Sequence, residues 1–199
     1  TEAGVVAVKA DSPYKTIEEL VAAAKEKGNL KASTNGNKAS NHTAAQLLAK
    51  SAGFKYKAIP YGGTADQLLA LRQGEVDFTC AKVADVAKLV KGDKPELRVL
   101  AVFNTKRDPE LPNVPTLGEK GLYPEWYGSA RALVAPKGTK PEVIQYYVEA
   151  FKKTMQDPAV IEAHKKAGMA LDFKDNKELG DLIKAQDKFA RDVVNDLYK

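Results

Sequence analysis

Residues 30–64 read LKASTNGNKASNHTAAQLLAKSAGFKYKAIPYGGT, and the order of patterns inside them decides the fold. A short apolar run over 30–34 gives way to a turn-rich loop over 35–41. A stretch over 42–51 then carries Ala44, Leu47 and Leu48 at helical spacing. Apolar residues three and four apart mark one side of a helix, and Gly53 supplies a residue suited to the left-handed conformation on which helices end. A second short run over 56–60 is followed by the turn Tyr61-Gly62-Gly63 and a new helix start at Thr64. Strand, helix, strand, helix in this order predicts an α/β lobe with crossover helices on a parallel sheet.

The same alternation extends in both directions. Residues 4–9 (GVVAVK) read as a buried strand. Thr16 and Glu19 have the spacing of a capping box, for a helix with Ile17, Leu20, Val21 and Ala24 on one face and Gly28 at its end. Thr64 and Gln67 repeat that spacing ahead of a helix through Leu71, closed by Gly74. Strands over 76–80 and 97–103 flank a short helix over 83–90. The stretch 104–122 holds Pro109, Pro112, Pro115, Gly118 and Gly121 and reads as an ordered loop. Residues 126–135 (WYGSARALVA) predict a long strand and Pro136-Lys137-Gly138 a turn. Pro141 and Asp157-Pro158 each open a helix, ending near 155 and 168. A strand over 169–173 and an amphipathic helix over 176–197 complete the pattern. The division expected is a complete α/β lobe with a parallel or mixed sheet over 1–130, then a returning strand and helices over 131–199, part of a second lobe with little sheet of its own to cover.

Composition excludes several classes. Of 199 residues, 44% are hydrophobic and 29% charged, a globular balance. No apolar stretch approaches the roughly 20 residues of a membrane-spanning helix. Lys plus Arg number 31 against 26 acidic residues, a mild excess spread along the chain without the basic block of a nucleic-acid binder. A net charge of +5 suits small anions without singling them out. The single cysteine, Cys80, rules out an internal disulfide and a cysteine zinc site, and its apolar strand predicts a buried, inert thiol. The chain opens at Thr1 with no initiator Met, as expected where something in front has been removed.

Two loops are candidates for chemistry. The first is Ser33, Thr34, Asn35, Gly36, Asn37, Lys38, Ala39, Ser40, Asn41 and His42, which joins a strand end to a helix start. Unpaired amides and the positive end of a helix dipole make such a place an anion site, with hydroxyl and amide side chains as further donors. The same residues also suit an ordinary capped turn. The second loop is Pro60, Tyr61, Gly62, Gly63 and Thr64, whose glycines open the backbone to a ligand. No Gly-Lys-Ser/Thr follows, so it is not a nucleotide-binding loop. Two such helix starts on one sheet edge can grip one carboxylate together. Lys82, just past the strand over 76–80, is placed to supply a counter-charge or to lie solvated. Arg131 interrupts an apolar run and needs either an acidic partner or the ligand itself.

His42 and His164 are the only histidines. Neither has carboxylates at metal-ligand spacing, so no metal and no cofactor is expected. His42 with Ser33 or Ser40 is the only candidate for nucleophilic catalysis, and no Gly-x-Ser-x-Gly elbow surrounds either serine.

Over nearly its whole length the sequence resembles the extracytoplasmic solute receptors of tripartite tricarboxylate transporters, the Bug-type receptors. The runs that carry the resemblance are KADSPYKTIEEL, KASTNGNKASNHTAAQLL, AIPYGGTADQLLAL, GEVDF, LRVLAVFNTKRDPELPNVPTLGEKG, LVAPKGTKPEVI and DPAVIEAHKKAG. The resemblance implies a periplasmic-binding-protein-like (type II) α/β fold of two lobes that close on a small di- or tricarboxylate or aromatic acid. It also implies membrane transporter subunits as partners and no nucleic acid. On it, Ser33, Thr34, Gly36 and His42 match the family's first ligand loop, Tyr61 and Gly63 its second, and Arg131 an arginine before the returning strand. Asn37 and Lys38 stand where a second glycine is usual. Ala81 and Lys82 replace an Asp-Asn pair, which favours a more negatively charged ligand. The N-terminal part of the family, carrying the other lobe's ligand loop, has no counterpart here, so a second chain completing that lobe is a further expectation. The alternatives are a ligand-sensing or partner-binding module on the same scaffold, and an enzyme using His42.

Overall fold

The computed structural model describes residues 1–169 and 171–198, and divides into two compact units: Glu2–Ser129, and Thr1 with the residues from Ala130 onward.

The larger unit is built on strands β1 (Glu2–Lys9), β2 (Lys31–Thr34), β3 (Lys57–Pro60), β4 (Phe78–Lys82), β5 (Leu97–Phe103) and β6 (Gly128–Ser129). Between them run helices α1 (Ile17–Lys27), α2 (Ser40–Ala52), α3 (Thr64–Gln73) and the single turn α4 (Val83–Val86). The sheet order is β3-β2-β4-β1-β5, with β6 on the end of β1. Strands β3, β2 and β4 are parallel, while β1 runs antiparallel to both β4 and β5. The sheet is therefore mixed, within the parallel or mixed sheet expected; the strand–helix alternation read by itself as a parallel sheet does not hold at β1. Alternating periodicity identifies element types but not strand direction. The connection 10–16 is long enough for α1 to lead into a strand of opposite sense.

Burial explains why these segments are strands. Val5, Val6, Ala7 and Val8 are all fully buried, so β1 is covered on both faces and reads as a continuous apolar run. Phe78 packs edge-on against Phe54 and Tyr56, with ring centroids 6.3 and 5.6 Å away. The α1 prediction holds residue by residue. Thr16 accepts from the Glu19 amide, Glu19 returns a bond to the Thr16 amide, and Ile17, Leu20, Val21 and Ala24 face inward. The loop 104–122 is ordered by buried Leu111 and Leu117, by the Arg107–Glu119 ion pair and by a bridge from Thr116 to Val102.

The expected strand over 126–135 shrinks to β6, and 130–135 is irregular and exposed. Only Ala3 and Glu2 of β1 are left to pair with it. The smaller unit consists of α5 (Pro141–Thr154), α6 (Pro158–Lys166), α7 (Asn176–Phe189), a π-helical turn (Ala190–Val194) and α8 (Asn195–Leu197). The helix expected over 176–197 is thus interrupted by the π turn. The strand expected over 169–173 does not form among the described residues, and Ala170 lies outside them. Helices α5, α6 and α7 bury no residue fully, and Tyr146, Tyr147, Phe151, Ile161 and Ile183 remain exposed.

Candidate functional site

Adjacent parallel strands place both candidate loops on one edge. Thr34 of β2 lies opposite Pro60 of β3, and the Tyr61 amide extends the ladder by donating to the Thr34 carbonyl at 2.9 Å. The first loop then turns into α2 at Ser40 and the second into α3 at Thr64. Lys82, at the carboxyl end of β4, closes the same edge, because β4 pairs with β2 in the same sense. Gly36 and Gly63 are therefore neighbours on the sheet edge.

Neither N-cap residue, Ala39 or Gly63, bonds its helix through a side chain, although Asn35 Oδ1 takes the Asn41 amide of α2 from within the loop. Ala39 precedes α2 and has nothing to cap with. Gly63 precedes α3 with an extended backbone. The capping box expected of Thr64 and Gln67 is not made: Thr64 is already the first helical residue. Gln67 instead turns inward, fully buried, because its amide finds more partners there than a cap offers. Its Nε2 donates to the carbonyls of Cys80 (2.6 Å) and Ser33 (3.2 Å) and to Thr79 Oγ1, and its Oε1 accepts from Asn41 Nδ2 at 2.9 Å. The first turn of α3 carries Asp66, whereas that of α2 has no acid. A carboxylate near the positive end of a helix competes with an incoming anion, and the start of α2 carries no such competitor.

The predicted residues divide accordingly. Ser33 is fully buried beneath the loop, its hydroxyl donating to Thr79 Oγ1 at 3.0 Å. Thr34 is also buried, its hydroxyl turned to the Gly36 carbonyl. Asn35 Oδ1 accepts from the Asn41 amide at 3.3 Å and holds the loop against α2. Gly36 adopts φ 129°, and Lys38, a non-glycine, adopts φ 58°. The Lys38 amide donates to His42 Nδ1 at 2.9 Å, so that nitrogen carries no proton. Burial pushes the His42 imidazole below its ordinary value, which keeps it neutral. Asn37 and Ser40 are exposed at the loop surface, as is Gly62; Gly63 and Thr64 are half-buried. Tyr61 is half-buried, and its hydroxyl donates to Glu75 at 3.0 Å. Arg131 belongs to the smaller unit, exposed on an irregular segment rather than in a buried strand. The requirement that it find a buried partner therefore falls away.

Lys82 is the unusual member. Only 7% of it is exposed. Its Nζ donates to Asn41 Oδ1 at 2.6 Å and to Ser40 Oγ at 3.3 Å, both neutral acceptors on the first turn of α2. Burial pushes its ammonium down from the usual lysine value, against the opposing pull of Asp85, Cys80 and Glu2. Asp85 and Glu2 spend carboxylate oxygens on backbone amides, those of Lys82 and Ala84. Among the described residues no carboxylate forms an ion pair with Nζ. A cation thus sits against the positive end of a helix, an arrangement that the dipole disfavours and that the charges of Asp85 and Glu2 offset.

Thr79 and Tyr127 escaped the sequence reading, Asn41 entered it only as a member of the loop, and Gln67 only as a cap. Tyr127 donates its hydroxyl to the Ser40 carbonyl at 3.1 Å, fastening the start of α2 from a distant segment. The signal for Gln67 was available: it lies on the same helical face as Ala70 and Leu71, both buried. A groove of about 340 Å³ lined by Ala10, Leu97, Arg98 and Leu111 lies at the opposite edge of the sheet, where β5 begins. Arg98 there is consumed by the carbonyls of Ala10, Ser12 and Tyr14, so the groove has no free recognition group of comparable kind. Cys80 is buried, its thiol pushed up to about 12 by desolvation. Among the described residues no cluster of three metal-ligating side chains occurs, and no helix is long and apolar enough to cross a membrane.

The family described as the tripartite tricarboxylate transporter family receptor matches residues 1–197. The chain belongs to this family. A receptor-family relative from Cupriavidus necator, the UPF0065 protein in the gbd 5' region, is 38% identical over 152 residues, covering 76% of this chain and 45% of the relative. The crystal structure of a TctC solute binding protein from Polaromonas superposes with a TM-score of 0.85 at 27% identity, over 98% of this chain and 66% of that one. The R. palustris protein Rpa4515 with adipate shares the fold (TM-score 0.78, 22% identity, 96% and 64% covered). This receptor-family chain spans about half the length of the relatives it matches.

Proposed function

We propose that the chain is the ligand-gripping part of an extracytoplasmic receptor that captures a small organic carboxylate and presents it to the membrane subunits of a tripartite tricarboxylate-type transporter. In this reading residues 1–130 form one lobe, and 131–199 contribute to a second lobe that further polypeptide completes. The carboxylate docks at the edge shared by the two loops, against Gly36, Ser40, Gly63, Thr64 and Lys82. The observation that carries the reading is the start of α2, which Ala39 leaves without an N-cap side chain, beside the buried Lys82 ammonium, on whose Nζ no carboxylate forms an ion pair among the described residues. Family membership supports the transporter as destination and the periplasm as location.

No chemistry follows capture in this proposal. Ser33 Oγ is committed to Thr79 inside the lobe, Ser40 Oγ accepts from Lys82, and His42 Nδ1 accepts the Lys38 amide. A nucleophile, a base and an orienting acid in mutual reach are not assembled from these groups.

The test is calorimetric titration and thermal shift against succinate, adipate, citrate and benzoate, run on this chain and on a version extended to the length of the relatives. Saturable binding with a rise in Tm supports the proposal. Absence of both in the two proteins with every acid refutes it.

A further inference from the structure

The search of the molecule converges on Lys82. A buried lysine normally has one of two fates: an ion pair, or loss of its proton. Lys82 has no carboxylate on Nζ among the described residues, and its two acceptors, Asn41 Oδ1 and Ser40 Oγ, are neutral. Those two acceptors take two of its three ammonium hydrogens. Asp85 and Glu2, whose charges pull on the ammonium, each also accept a backbone amide at the start of α4, those of Lys82 and Ala84.

Its position is fixed from below. Asn41 Nδ2 donates to Gln67 Oε1, and Gln67 Nε2 is anchored on the Cys80 and Ser33 carbonyls. Because the Asn41 amide group donates to Gln67 through nitrogen, its oxygen is left facing Lys82. The relay thus aims the ammonium at the first turn of α2 instead of at solvent. A neutral ligand, or one whose single charge is held by the helix starts, brings no further negative charge to this ammonium.

We propose that Lys82 is a charge-selecting residue of the ligand site, requiring a second negative charge on the ligand beyond the carboxylate that the helix starts hold. This deepens the carboxylate-receptor reading and rests on it. The consequence is discrimination between molecules of one shape and different charge. Succinate and succinamate differ only by replacement of one carboxylate with an amide, and so do adipate and adipamate.

The experiment is calorimetric titration of each acid and its monoamide into the chain extended to the length of the relatives, as wild type, Lys82→Met and Lys82→Arg. The expected result is at least tenfold tighter binding of the diacid than of the monoamide by the wild type. Lys82→Met should lose that preference, diacid binding weakening by a larger factor than monoamide binding, and Lys82→Arg should restore at least part of it. Equal affinity for diacid and monoamide in the wild type, or an unchanged preference in Lys82→Met, overturns the assignment while leaving the receptor reading intact. Binding of neither class by the wild type overturns both. A readout that needs no variant guards against misfolding: the NMR titration of the lysine Cε/Nζ resonances. Diacid binding should raise the Lys82 titration midpoint and the monoamide should raise it less; equal midpoints with the two ligands count against the proposal.

Discussion

Replacing Gln67 with leucine removes a buried amide and keeps the side chain's approximate volume. Four hydrogen bonds disappear with it: those to the Ser33 and Cys80 carbonyls and Thr79 Oγ1, and that from Asn41 Nδ2. The Ser33 carbonyl retains the Thr79 hydroxyl at 2.9 Å, and Thr79 retains Ser33. Two groups, Asn41 Nδ2 and the Cys80 carbonyl, lose this partner in a region sealed from water. Each costs about 1–3 kcal/mol, and the added apolar burial of leucine offsets about 1 kcal/mol of the total. The net expected loss is about 3 kcal/mol. At roughly 2–4 °C per kcal/mol for a chain of this size, Tm falls by about 10 °C, read by far-ultraviolet circular dichroism with urea unfolding as the independent measure. A drop smaller than about 3 °C would refute the claim that these groups form a closed buried network.

Three further outcomes are expected. Lys38 holds a left-handed φ of 58°, and an L-residue there costs about 1 kcal/mol, so Lys38→Gly should raise urea-unfolding stability by about 0.5–1 kcal/mol; a loss would show that the lysine side chain stabilises the turn. At Gly128 an added Cβ overlaps the Glu2 carbonyl oxygen and lies 2.9 Å from Trp126 Cζ2, so Gly128→Ala should destabilise by about 2–3 kcal/mol, with unchanged Tm as the contrary result. The imidazole of His42 titrates near 6.5 when unfolded and lower when folded, because burial disfavours its charge. The unfolded chain therefore binds more protons between those values, and stability falls as pH drops below about 6.5. His42→Gln should remove that component of the slope, which is at most about 1.4 kcal/mol per pH unit, as seen by comparing Tm of the two proteins from pH 7.5 to pH 5.

Local order was legible in the chain because local interactions set it. The Thr16–Glu19 capping box, the stripe Ile17, Leu20, Val21 and Ala24, and the strand Leu97–Phe103 involve neighbours in sequence or a single apolar run. The succession of these elements determined an α/β lobe with two loop-to-helix starts, and the pairing of β2 with β3 sets both on one edge. The direction of β1 was not legible, since a strand buried on both faces has the same pattern whichever way it runs. Nor was the fate of Gln67: its spacing from Thr64 fits a cap, and only the approach of Asn41, Ser33 and Cys80 from three other elements draws it inside. Lys82 shows the same division. Sequence put a lysine after a strand, where solvation and ligand contact fit equally well. Tertiary structure buried its ammonium against neutral acceptors on the first turn of α2, because burial and charge pairing depend on which distant segments meet, and no local pattern encodes that.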